Sequence, residues 1–441
     1  MASRFESLVA TVICLICVAW GASPMTGSPV AQAQSQSQSA QPAAAAQPDD
    51  PVRTLVARLE LERYKATIKS LTQFGDRRQG TDRNRAANDW IEKRLVAYGC
   101  SGVDRITYEY APAPRTGAST QAARGEQAGA GRGSQAAAGA GAAGSGSAAT
   151  GAGQARGRIP IKGNRGPAGV NNDPEKQPDV ALRELDMQPT SPGERQEVFA
   201  TKIGSTRPDE MYIVSGHMDG LGYSAAANDN ASGAALVLEV ARILCGADVV
   251  TERSVRFALW NNEETGLNGA RAYAAQRGPL QGKEDPPGSG KYPEPKWLGV
   301  IAHDMMLFDH GMPGPDGKVS SEQRPEADVN IEFAGTSKMA AASQDLAWAF
   351  KNANDLYATD YPAVVGNRMS NTDSAAFQDL VASISLREAE RLSQVGAGWD
   401  PTWHQPIDVF QTFSDKDFRL GLNAAQTTLA AIAQLVGAKV K

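Results

Sequence analysis

This 441-residue sequence predicts an α/β fold: a single mixed, mostly parallel central sheet flanked by helices on both faces, with disordered insertions. Three observations carry that expectation. Short β-type runs alternate with runs of helical period along most of the chain. Acidic and histidine-bearing stretches follow the ends of the β-type runs, where open α/β sheets gather their chemistry. Hydrophobic residues make up 41% of the chain, enough for one large core.

The N-terminus is set apart from that fold. Arg4 and the free amine precede an apolar stretch, Leu8 to Ala22, that is too short to span a bilayer. Ala31-Gln32-Ala33 is an A-x-A cleavage site, so residues 1–33 read as a secretory signal peptide. The mature protein is then secreted or periplasmic, with no membrane contact after cleavage. Residues 34–51 are rich in Ser, Gln, Ala and Pro and read as a disordered linker. The net charge of −5 argues against nucleic acid or an anionic membrane surface as partner.

Beyond the linker, Thr54 to Phe74 and Ala86 to Tyr98 carry apolar residues at helical spacing, and Gly99 is placed as a stop. Val103 to Tyr110 alternates as a strand. Residues 112–166 are rich in Gly, Ala, Gln, Arg and Ser without apolar period, and read as a low-complexity insertion between two strands. Gln196 to Lys202 and Met211 to Val214 are strands with a turn at Arg207–Glu210. Ala231 to Leu244 is a helix, Val255 to Trp260 a strand, and Leu267 to Gln276 a helix. A second insertion, a Pro/Gly-rich loop, occupies 278–296. Strands follow at Trp297–Ala302 and Val329–Phe333, then a helix at Ala340–Leu356. A short helix at Asp373–Leu380, a strand at Val381–Leu386 and a closing helix at Asp415–Leu435 complete the chain.

Of four cysteines, Cys14 and Cys17 fall in the signal. Cys100 and Cys245 each end a predicted helix, so a disulfide and two separate core thiols are both open. Two cysteines exclude a cysteine zinc cluster.

The chemistry concentrates between Ser215 and Ala270. His217 and Asp219 follow the run Met211–Val214. A carboxylate two residues past a histidine can fix one ring nitrogen and free the other for a metal. Asp229 precedes a helix, where capping is the plainer role. Glu263 and Glu264 follow Val255–Trp260; adjacent residues of extended chain point opposite ways, so one can bind metal while the other faces water. An exposed acidic turn is the alternative.

Together these stretches carry a resemblance. The segments HMD (217–219), NDNASG (228–233) and NNEETGLNGA (261–270) resemble the H-x-D, D-N-x-S-G and E-E-x-G-L-x-G signatures of the M28 family of zinc peptidases. IAHDMM (301–306), Trp403-His404 and FGDRRQGTDRNRAANDWI (74–91) are similar to further family segments. The resemblance runs from Val52 to Leu435 apart from the two insertions, so residues 52–441 are expected to be one zinc peptidase domain of the zinc-exopeptidase type.

The resemblance implies two zinc ions per chain. His217, Asp229 and Asp304 would hold one; Asp229, Glu264 and His404 would hold the other, with Asp229 between them. Glu263 would be the general base and Asp219 would orient His217. Two departures stand out. The family's S-D-H-x-P-F segment reads Thr372-Asp373-Ser374-Ala375-Ala376-Phe377 here, and the Tyr before the last His is Trp403. Elementary electrostatics agrees with the metal reading: like charges at about 4 Å repel by up to about 4 kcal/mol at an effective dielectric near 20, so four converging carboxylates call for cations.

The expected function is a secreted exopeptidase acting on peptides, most simply an aminopeptidase. A carboxypeptidase or dipeptidase on short or acidic peptides is the alternative on the same metal core. A glutaminyl cyclase agrees less well because His217 and Glu263–Glu264 are both retained, and a catalytically silent ectodomain because none of the five ligand positions is lost. His303 should face away from Asp304, toward packing. His310 receives no role. Asp408 either braces the His404 loop or faces solvent.

Overall fold

The computed structural model describes residues 50–111, 169–308, 329–367, 372–388, 400 and 402–441. The expected signal peptide, nearly all of the linker, the 112–166 insertion and His310 lie outside the described residues.

Helices α1 (Pro51–Val56), α2 (Leu61–Thr72) and α3 (Asp82–Ala97) lead into strand β1 (Ser101–Tyr110). The single helix expected over Thr54–Phe74 is therefore two. Glu60 is extended (φ −121°, ψ 132°) and breaks the run. The break lets α1 pack on the C-terminal helix while α2 packs on the helix that starts at the Asp229 turn. Asp50, placed by the sequence reading in the linker, accepts from the Val52 N–H at 2.9 Å and caps α1. Thr81 caps α3 through the Asn84 N–H, and Gly99 ends that region with φ +79°.

After a short helix α4 (Val180–Asp186), absent from the sequence reading, come β2 (Gly193–Lys202) and β3 (Arg207–His217). Arg207–Glu210 belongs to β3, not to a turn; the chain turns at 203–206 instead. Gly204 permits that turn, since a Cβ there would lie 2.5 Å from the Glu252 carbonyl oxygen. Then follow α5 (Gly233–Leu244), the short β4 (Val249–Val250), β5 (Arg253–Trp260), α6 (Asn268–Arg277) and β6 (Lys296–His303). The last part comprises β7 (Val329–Phe333), α7 (Ala340–Tyr357), β8 (Ala363–Gly366), β9 (Ser383–Arg387), α8 (Asp415–Leu435) and β10 (Lys439–Val440). A 3₁₀ turn at Asp373–Ala376 replaces the expected short helix.

Among the described residues, eight strands form one sheet in the order β1-β2-β5-β3-β6-β9-β7-β8. Its centre, β5-β3-β6-β9, is parallel throughout. Antiparallel pairing enters at β1-β2, β2-β5 and β7-β9. The mixed, mostly parallel sheet is thus as expected, and β4 pairs with β10 in a separate small ladder.

Alternation along the strands sorts side chains onto two faces. Val255, Phe257 and Leu259 of β5 join the larger core with α2, α3, α5, α7 and α8. Ala258 and Trp260 join a smaller aromatic core with Tyr273 of α6, Trp297 and Phe377. Both faces are covered, unequally. Helix α5 is buried on all sides except at Arg242, which its apolar sequence anticipates. Cys100 and Cys245 form a disulfide, Cα–Cα 5.0 Å, tying the end of α3 to the end of α5.

The 278–296 loop is anchored rather than loosely appended. Glu294 is fully buried and accepts from Arg256 and from the Tyr273 hydroxyl. Among the described residues, no helix is long and apolar enough to cross a membrane.

Candidate metal centre

Because β3, β5, β6 and β9 run parallel, their carboxyl ends share one edge of the sheet. β3 ends at His217, β5 at Trp260 just before Asn261–Glu264, β6 at His303 beside Asp304, and β9 at Arg387. Two loops close over that edge: the turn Ala227–Ser232 before α5, and the segment around His404. Gly233 lets the first come close, since a Cβ on it would lie 2.4 Å from the His303 carbonyl oxygen. Gly222, at φ +98°, does the same for the second, with a Cβ 2.4 Å from the His404 carbonyl oxygen.

The expected ligands meet at this edge. His217 Nε2 lies 3.5 Å from Asp229 Oδ1 and 3.4 Å from Asp304 Oδ1. His404 Nε2 lies 3.1 Å from Asp229 Oδ2 and 2.8 Å from Glu264 Oε2. One carboxylate, Asp229, therefore turns each oxygen to a different imidazole. Donor atoms of His217, Asp229 and Glu264 all lie within 4.8 Å of one another. The residues stand far apart in sequence and come from separate elements, so only the sheet topology unites them.

Asp219 differs from expectation in detail. His217 Nδ1 sits 3.0 Å from the backbone carbonyl of Asp219, while the Asp219 carboxylate is 3.8 Å away. That carboxylate instead accepts from the Glu263 N–H at 3.0 Å. Strands β3 and β5 pair in parallel with His217 registered against Trp260, which brings Asp219 beside the Glu263 N–H just past the end of β5.

The electrostatics is that of crowded donors. Burial opposes charge on His217, but Glu263, Asp304 and Asp229 outweigh it and raise its pKa well above 6.5. His404 behaves alike, with Glu264 and Asp229 overcoming burial. Burial pushes Glu264 up to about 7, with His404 pulling the other way, and raises Glu263 well above the carboxylate range. Each residue is partly exposed as a whole, yet the Glu264 side chain is only 5% exposed, so its carboxylate and not its backbone is enclosed.

Around these lie residues the sequence reading left open or missed. Asp408 is buried and accepts from the Asn228 and Asp229 N–H groups at 2.7 and 3.0 Å, so it braces the Asp229 turn. His303 faces away as expected: its ring meets the Ser215 carbonyl at 2.9 Å and Thr428 Oγ1 at 2.8 Å, and burial lowers its pKa to about 4. Arg387 was missed. Its Nη2 donates to Asp304 Oδ2 at 2.7 Å. The signal was a cation directly after the apolar strand that was read as stopping at Leu386. Asp373 is 1% exposed, neither of its carboxylate oxygens has a hydrogen-bond partner among the described residues, and burial pushes it up to about 8. Arg77 is fully buried and spends its guanidinium on backbone carbonyls, Met218 at 2.6 Å and Ala226 at 2.7 Å among them. It thereby ties down both ends of the loop between His217 and Asp229. Trp403 stacks on His404, ring centroids 4.2 Å apart. His404, Met305 and Asn262 hold φ values of +56°, +60° and +63°; left-handed non-glycine residues gather at functional sites.

An aminopeptidase of Pseudomonas aeruginosa is 33% identical over 137 residues, 30% of this chain and 24% of that protein. The match thus spans about a quarter of that relative's length. In structure, the chain is similar to an aminopeptidase from Aneurinibacillus sp. strain AM-1: TM-score 0.52, 17% identity, 88% of this chain and 97% of that one. It is also similar to a glutaminyl cyclase from Porphyromonas gingivalis: TM-score 0.51, 14% identity, 86% of this chain and 99% of that one. At these identities the likeness concerns the fold alone. The model of peptidase family M28 matches residues 197–428, more than half of the 441 residues and all of the edge described above except the N-terminal Arg77 segment, and the chain belongs to that family.

Proposed function

We propose that this chain is an exported zinc-dependent exopeptidase, specifically an aminopeptidase, holding two zinc ions per chain. The observation that carries the reading is the division of Asp229, with Oδ1 toward His217 and Oδ2 toward His404. A carboxylate so placed suits a bridge between two cations. The donor set also fits zinc: two imidazoles with carboxylates, where calcium and magnesium take oxygen alone.

In this reading His217, Asp229 and Asp304 would hold one ion, and Asp229, Glu264 and His404 the other. Zinc held there would supply Lewis-acid polarisation of the peptide carbonyl and a lowered pKa for water. The chain does the rest. The Asp219 carbonyl accepts from His217 Nδ1–H, which leaves the Nε2 lone pair facing the pocket. Glu263 takes the proton from the attacking water at its carboxylate and returns it to the leaving amine. Its backbone is fixed by Asp219, whose carboxylate accepts from the Glu263 N–H at 3.0 Å. The substrate is a peptide. A signal peptide at 1–33 would deliver the enzyme outside the cytoplasm.

Elemental analysis with a matched panel of free and N-acetylated peptides tests the proposal. Two zinc ions per chain and cleavage abolished by acetylation are expected. Undiminished cleavage of the acetylated peptides overturns the aminopeptidase assignment, and a metal-free active enzyme overturns the whole reading. His404→Ala should lower the zinc content; an unchanged content removes His404 from the ligands.

A further inference from the structure

Behind Asp304 stands a cation that no step above uses. Strand β9 lies parallel to β6, with Leu386 registered against His303, and the Asp304 N–H donates to the Leu386 carbonyl at 3.1 Å. The next residue of β9, Arg387, is thereby brought beside Asp304. Its side chain is 2% exposed. Nη2 donates to Asp304 Oδ2 at 2.7 Å, and Nε lies 3.9 Å from Glu332 Oε2 on β7. The other oxygen of Asp304, Oδ1, is the one 3.4 Å from His217 Nε2. One carboxylate thus has one oxygen toward the pocket and one toward a guanidinium.

A guanidinium keeps its charge in proteins, so Oδ2 stays engaged. A carboxylate with both oxygens available can chelate an ion, which fills a coordination position. A carboxylate already bonded through one oxygen offers the ion a single oxygen and less negative charge. Catalytic zinc sites keep a position open for water or substrate, and partners of the ligating groups tune both ligand orientation and the metal.

We propose that Arg387 is a positioning residue that holds Asp304 to one-oxygen donation by occupying Oδ2, and so keeps the adjoining metal position open and electron-poor. The proposal rests on Asp304 being a metal ligand. Glu332 sits behind the guanidinium as a second anion, its Oε2 3.9 Å from Nε. Strand β7, which carries no candidate ligand, is linked to the site through that contact.

Cobalt(II) substitution in the full chain tests this, because the visible absorption of cobalt reports coordination number without turnover. Arg387→Met frees Oδ2, so its cobalt absorption should weaken as coordination rises. Its kcat should fall about tenfold or more, the range seen when partners of metal ligands are removed, with KM little changed. Arg387→Lys, which restores one charged donor, should recover most of both signals. A wild-type spectrum in Arg387→Met at equal cobalt content overturns the proposal, whatever its activity. Should that variant not fold, Arg387→Leu, which likewise removes every donor, is held to the same two outcomes. If the wild-type chain itself takes up no cobalt, the metal reading fails and this role with it. If the wild type binds cobalt and the variant shares its spectrum, only the role of Arg387 falls.

Discussion

The Asp229 N–H donates to Asp408 Oδ2 at 3.0 Å across 179 residues of sequence, and Asn228 donates to the other oxygen of the same carboxylate. Asp408 therefore holds in place the turn that presents Asp229 to both imidazoles. Asp408→Ala leaves two buried N–H groups without acceptors, at about 1–3 kcal/mol each. The variant should melt lower and bind less zinc, measured by calorimetry and elemental analysis. Unchanged zinc content would show that the turn holds itself.

Glu263→Gln should retain the metal and lose turnover by about 10²–10⁴-fold, the usual worth of a general base. The amide preserves shape and the backbone bond from Glu263 to Asp219, so the fold should be intact. Paired kcat and zinc determinations decide it; normal turnover removes the role.

His303 sets an acid limit on stability. Burial lowers its pKa from 6.5 to about 4, so the folded chain keeps it neutral where the unfolded chain takes up a proton. The unfolded state then binds more protons between those values, and stability falls as pH drops from about 6.5 toward about 4. A shift of this size corresponds to about 3 kcal/mol over the full window. In urea titrations at pH 7, 6 and 5, His303→Gln should show a shallower decline than the wild type. Parallel declines would place the acid sensitivity elsewhere.

Arg77 bonds the carbonyls of Leu71, Gly75, Met218, Ala225 and Ala226. Arg77→Met strands several buried acceptors at once, at about 1–3 kcal/mol apiece. Loss of more than about 3 kcal/mol by denaturant unfolding is expected, with reduced zinc binding in whatever remains folded, because the loop between His217 and Asp229 loses its tether. A variant that unfolds at the wild-type denaturant concentration refutes this.

The Cys100–Cys245 bridge closes a loop of 145 residues. Removing a native disulfide costs about 2–5 kcal/mol, chiefly by freeing the unfolded chain. Cys245→Ser should lower the melting temperature while leaving zinc content and kcat unchanged at 25 °C, since neither sulfur touches a candidate ligand. Equal melting of reduced and oxidised protein would contradict it.

Much of this protein is legible in one dimension. The helical period of 231–244 and 415–435, the alternation of 255–260, and the placing of His217, Asp229, Glu263-Glu264 and Asp304 at element ends are local patterns, whereas His404 lies in a loop and was legible through the family resemblance. Local patterns survive in sequence because backbone geometry imposes them residue by residue. What tertiary structure alone decided are relations between distant segments. The helix over 54–74 breaks at Glu60 because two separate surfaces claim its halves, and propensity yields to packing. Asp219 reaches the segment after β5 because β3 and β5 pair in parallel and end side by side. Cys100 and Cys245 pair because α3 and α5 end side by side. Arg387 and Asp408 find Asp304 and Asp229 only once parallel strands bring their ends to one edge, and no spacing along the chain encodes a hydrogen bond between residues so far apart.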